Sequence, residues 1–139
     1  MLIKDIKEAI RERLRDHITT ATITDYPDQP DTYAMRHATV ELLVHYLESE
    51  NQKNRRVIMG VVVVTHTQAM NDRYLAAVLA ILNGYRMTGC NNGMEYLEDM
   101  VLGCEANTWK TVIKFAVITP APPIPDNRLT DYLHQLGVN

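Results

Sequence analysis

The segment Arg55–His66, RRVIMGVVVVTH, constrains the fold more than any other part of the chain. Apolar residues, most of them β-branched, occupy both of its alternating faces. A strand of that kind has to be covered at least in part on both sides, which puts it in the middle of a sheet. Gly60 interrupts the run and marks a bulge or a point of close packing. The apolar stretch itself, Val57–Val64, is far too short to cross a bilayer as a helix.

The other periodic segments supply its neighbours. Ala38–Leu47 reads as a strand with Val40, Leu42, Val44 and Tyr46 on one face and Glu41, Leu43, His45 and Leu47 on the other. Trp109–Thr119 is a second clear strand, with Trp109, Thr111, Ile113, Phe115 and Val117 on one side. Met94–Cys104 alternates and reads as a strand, although GMEYLEDMVLG also suits a helix. Thr20–Thr24 is rich in β-formers and makes a short strand. Leu2, Ile3, Ile6, Ile10 and Leu14 recur at helical spacing, so the N-terminus forms an amphipathic helix of about four turns. Gln68–Asn83 is a second helix, with Asn71 as a plausible N-cap and Gly84 as its stop. The expectation is an α+β fold: a mostly antiparallel sheet of four to five strands with helices packed on one face.

Between these elements, Asp25–Arg36 (DYPDQPDTYAMR) is an irregular loop of unusual length, and such loops are often functional. Glu48–Asn54 is a polar hairpin connection, Tyr85–Gly93 a loop, and Glu105–Thr108 a turn. Thr119–Pro125, TPAPPIP, is unfit for a central sheet and should run extended. A short helix then follows, with Leu129, Leu133 and Leu136 on one stripe and Gly137 as its stop. This divides the chain into a single domain over 1–119 and a Pro-rich tether with a short helix over 120–139. That helix docks either on its own domain or on a neighbour.

Composition narrows the partners. The 139 residues carry a formal net charge of −3, and the pI is about 5.9. Nucleic acid is therefore not expected as the main partner, since phosphate binding calls for a basic face. No export signal or membrane span is visible, and a soluble protein made in the cytoplasm is expected. Seven tyrosines stand against a single phenylalanine. Tyrosine suits surfaces that are apolar on one side and wet on the other, as protein interfaces are, but it also suits the rim of a sheet.

Reactive chemistry leaves little trace. The glycines fit no phosphate loop or dinucleotide spacing, and HExxH, GxSxG and CxxC patterns do not occur. Cys90 and Cys104 read as free thiols. His17, His37, His45, His66 and His134 are scattered. The carboxylates at Asp25, Asp28 and Asp31, and at Glu95, Glu98 and Asp99, read as solvated charge on a loop and an exposed strand face. No cofactor, metal or catalytic residue is expected.

The order of elements resembles the small phage and prophage tail-completion proteins of the Mu-like family named for gene product 37, and more loosely the phage tail terminators. The resemblance is carried by LIKDIKEAIRERL, ATVELLVHY, RVIMGVVVVTH, DRYLAAVLAILNGYRMTG and TWKTVIKFAVIT, with Leu82, Gly84, Trp109 and Phe115 among the matching positions. It reaches to about Thr119. It implies a subunit without enzymatic activity that assembles into a six-membered ring, caps the tail tube and offers a surface for head joining. The implied partners are copies of itself, the tail tube and head-completion proteins. The implied location is the bacterial host cytoplasm and then the virion tail.

Candidate interface residues are Tyr26, Tyr33, Glu50, Lys53, Arg55, Arg56, Tyr85 and Arg86. Two other readings stay open from the residues: a small thiol enzyme using Cys90 or Cys104 with a nearby histidine, and a monomeric binding domain whose Asp25–Arg36 loop holds a partner.

Overall fold

The computed structural model describes residues 2–27, 40–50, 54–90, 92–105, 107–120 and 133–137. Helix α1 (Ile3–His17) leads into strand β1 (Ala21–Asp25). Then come β2 (Val40–Glu50), β3 (Asn54–Thr65), helix α2 (Gln68–Leu82), β4 (Glu95–Glu105) and β5 (Thr108–Pro120). The strands form one five-stranded sheet in the order β1-β2-β3-β5-β4. The apolar strand β3 is its centre, as its sequence requires.

Three of the four pairings are antiparallel. The exception is β1, which pairs parallel with β2 so that Ile23 stands beside Leu42. A parallel pair cannot be joined by a tight turn and needs a crossover of roughly a dozen residues or more. The long segment after β1 thus has a topological reason. Most of the Asp25–Arg36 loop lies outside the described residues.

The helices pack on one face. Ile6, Ile10 and Leu14 of α1 and Val78 and Leu82 of α2 are buried against Val40, Leu42, Val44, Val57, Met59, Val61, Val63, Ile113, Phe115 and Val117. Burial of each such side chain stabilises by about 1.5–3 kcal/mol. Helix α1 lies over β1 and β2, and α2 over β3 and β5. The Tyr96 ring meets Phe115 edge-on, with centroids 6.3 Å apart.

Several local expectations need correction. The N-cap of α2 is Thr67, whose side chain accepts from the Met70 N–H at 3.2 Å. Asn71 is instead buried one turn inside. Its Nδ2 donates to Val63 O at 3.0 Å and to Trp109 O at 3.3 Å, which ties the helix to two strands. The 85–93 connection is a loop as expected, and part of it is buried. Met87 and Cys90 enter the core with Met94, and the chain is clasped at its base by Gly84 N–H to Met94 O (2.7 Å) and Met94 N–H to Tyr85 O (2.8 Å). Gly84 takes φ +81°, the left-handed turn expected of a helix stop.

β4 is a strand and not a helix, but it does not alternate as its sequence suggests. Register shifts at Tyr96/Glu98 and Val101/Gly103 mark two bulges. Tyr96 therefore faces the helices opposite Phe115, while Glu98 and Met100 face the other way opposite Lys114 and Val112. β5 also takes in the first proline of TPAPPIP, since Pro120 pairs with Asn54. This is possible because β4 begins level with Ala116, so β5 has an open side at its end where a missing N–H does no harm. Residues 121–132 of the tether lie outside the described residues. Beyond them Leu133–Gln135 make one helical turn, closed at Gly137, and Leu136 is 76% exposed.

Candidate interface surfaces

The two faces of the sheet are treated differently by the chain. No described helix packs on the second face. Its own small apolar cluster consists of Leu43, Val62, Val64 and Val112, with Tyr26 packed against it. Beside this cluster runs a shallow, mainly apolar groove of about 300 Å³ whose walls include Tyr26, His45, Leu47, Met100 and Leu102. Gly60 sits beneath it. A Cβ there would stand 2.9 Å from Val112 Cγ2 and 3.3 Å from Leu47 Cδ1, so the missing side chain lets Leu47 lie down across the strand. Tyr26 stacks obliquely on His45, with ring centroids 4.5 Å apart. Burial, and secondarily the charge of Lys7, lowers the His45 pKa below its ordinary value.

Towards the end of the sheet where β2 finishes and β3 begins, the same face becomes charged. A second hollow of about 360 Å³ is lined by Leu47, Glu48, Arg56, Ile58, Glu98 and Lys114, with Leu97 beside them. Arg56 pairs with Glu50 at 3.2 Å and Lys114 with Glu98 at 3.0 Å. These are partly exposed pairs and contribute little stability on their own. They leave alternating charge on this end of the face.

Of the residues singled out from the sequence, Glu50, Arg55, Arg56, Tyr85 and Arg86 belong to one end of the sheet, because β2 ends there and the connection into β4 crosses it. Glu50 is exposed, and Arg55 and Arg56 are half-buried within β3 instead of sitting at a hairpin tip. Tyr85 is half-buried, with the Arg13 guanidinium 4.7 Å above its ring. Arg86 donates from Nε to Cys90 O at 3.0 Å. Tyr26 stands apart, in the groove. Tyr33 and Lys53 lie outside the described residues.

The sequence reading missed the outer edge of β4. Met100 (45%), Val101 (59%) and Leu102 (45%) are among the most exposed large apolar residues described, and they stand together on an edge strand eleven residues long. The available signal was the run MVL directly after Glu98 and Asp99, three apolar residues in a row where alternation calls for one to be polar.

The two thiols differ. Cys90 is buried, which pushes its pKa up, and a thiol so held is a poor nucleophile. Cys104 is exposed on β4, opposite Trp109. Among the described residues no group of three or more His, Cys, Asp or Glu side chains is placed to hold a metal ion. No helix among them is long and apolar enough to cross a membrane.

Comparison with known proteins gives this surface its context. The chain is similar in fold to a chain in the virion of a native gene transfer agent particle, with a TM-score of 0.56 and 14% identity, over 84% of this chain and 95% of that one. No curated protein matches it in sequence. The family model described as Gp37 protein matches residues 10–136, almost the entire chain, and the protein belongs to that family.

Proposed function

We propose that this protein is a structural component of a phage or prophage tail, acting at tail completion in the manner of a tail terminator. Copies of it assemble into a ring, expected to have six members, that caps the tail tube and meets the head-completion proteins. The observation that carries this reading is the fold shared along nearly its whole length with a component of an assembled virion. Membership of the Gp37 family, together with the resemblance drawn from the order of elements, supports it.

The shape of the surface agrees with such a role. One sheet face packs against the helices, while the other carries a buried apolar cluster, an apolar groove beside it and a charged end. A ring subunit needs two different surfaces, one matching the next copy and one matching the tube, and a heterologous contact has to close on itself to avoid growing into a filament. Apolar patches favour lasting contact, while alternating charge sets orientation and rate.

The test is the mass in solution across a range of concentrations, followed by electron microscopy. A particle of about six times the 15.9 kDa chain mass, with a central opening, is expected. A species that remains one subunit in size at every concentration would sink the reading. In a phage carrying the gene, its loss should leave tails that fail to join heads. Normal virions after deletion would refute the terminator role even if rings form.

A further inference from the structure

The two edges of the sheet are unequal. At β1 the outward-facing carbonyl of Ile23 accepts from Arg15 Nη2 at 2.7 Å, and Arg11 pairs with Asp25 at the strand's end. That edge is only five residues long and is guarded by α1. β4 is more than twice as long. It carries exposed apolar side chains on both faces, Val101 on the helix side and Met100 and Leu102 on the groove side. A long apolar edge, left uncovered among the described residues, is a template for another strand.

We infer that the outer edge of β4 pairs antiparallel with β4 of a second copy, about a twofold axis through Val101. The strand's own charge pattern selects this partner. In a parallel, in-register pair, Glu98 and Asp99 would stand directly on their counterparts, and like charges directly opposite destabilise a sheet. In an antiparallel pair with the two Val101 residues opposite each other, Met100 of each copy meets Leu102 of the other. Asp99 and Glu98 then fall along the partner's bulged segment beyond Leu102, away from their own counterparts. A twofold axis perpendicular to the sheet keeps helices on the same side in both copies, so the two Val101 side chains meet on the helix side and the Met100–Leu102 pairs on the groove side. Each groove, walled by Met100 and Leu102, is then completed by residues of the partner. The pairing does not depend on the ring: it makes dimers alone, or joins two rings if rings form.

Val101 is exposed in the single subunit, so changing it leaves the fold intact. In a Cys104→Ser background, Val101→Cys should form a disulfide-linked dimer under mild oxidation, because directly opposed strand residues lie within bridging distance. A cysteine at Thr24, on the guarded edge, serves as the control. Val101→Lys and Val101→Glu should each lose the dimer contact, and an equal mixture of the two should regain it, now as a heterodimer. Cross-linking no faster than at Thr24, or charge variants with unchanged mass, would overturn the inference. The ring is judged separately. Particles larger than two subunits that persist unchanged in Val101→Lys uphold the ring and reject this pairing. Cross-linked dimers with nothing larger support the pairing and reject the ring.

Discussion

Gly93 lies so close to Gly84 that a Cβ on it would stand 2.5 Å from the Gly84 carbonyl oxygen and 2.8 Å from its carbon. The obstacle is backbone, which cannot swing aside as a side chain does. The same two glycines flank the hydrogen-bonded clasp that sends the chain from α2 into β4.

Gly93→Ala should therefore destabilise the protein by about 1–3 kcal/mol, the usual range for forced overpacking. A thermal melt reads this as a fall of several degrees. An unchanged melting temperature would mean that the close approach of the two glycines is not retained in solution.

Asn71→Ala removes the amide that serves Val63 O and Trp109 O. Losing these two hydrogen bonds costs about 1–3 kcal/mol, and the urea midpoint should fall accordingly. The same change at a surface position with no such role alters stability by only a few tenths of a kcal/mol, so a loss that small would count against the bridge.

His45 makes stability depend on pH. Burial, with Lys7 in second place, holds its folded pKa below the ordinary 6.5. The unfolded chain thus takes up a proton more readily than the folded one. The contribution of His45 is intact above about pH 6.5, is lost as pH falls through that value, and levels off below the lower folded pKa. His45→Gln should flatten this part of the curve of urea midpoint against pH. Identical slopes in the two proteins between pH 7 and 5 would show that other groups govern the window.

Alkylation should separate the cysteines cleanly. Cys104 is exposed and should label at the rate of an ordinary thiol, whereas Cys90, buried and with a raised pKa, should label only as the protein unfolds. Fast labelling of Cys90 in the native state would contradict its place in the core and reopen the possibility of a reactive thiol.

Most of the architecture was readable because it depends on local pattern. The double-faced apolar run of β3, the alternation of β2 and β5 and the stripe of α1 each name their own element and the face it buries. What was not readable depends on contacts distant in sequence. Nothing local in ATITD says that β1 pairs parallel with β2. Asn71 looks like a cap from its neighbours and becomes a bridge only because Val63 and Trp109 come beneath it. The bulges of β4 arise from its register against β5, so the alternation of its residues misassigned their faces. The same applies to the candidate surface. Glu50, Arg55 and Arg56 were found by their charge. The exposed Met100–Leu102 edge was passed over, because apolar residues in a strand are ordinarily taken for core.

The parallel docking of β1 also bears on the order in which the molecule comes together. The strands β2, β3, β5 and β4 form a plain antiparallel array, in which β2 and β3, and likewise β4 and β5, are close neighbours along the chain. β1 has nothing to add to until β2 is in place, and its ends are brought there only by closing a long loop, which is slow to form. The strand β1 is thus expected to join the sheet only after β2 has formed, with α1 then sealing the core through Ile6, Ile10 and Leu14.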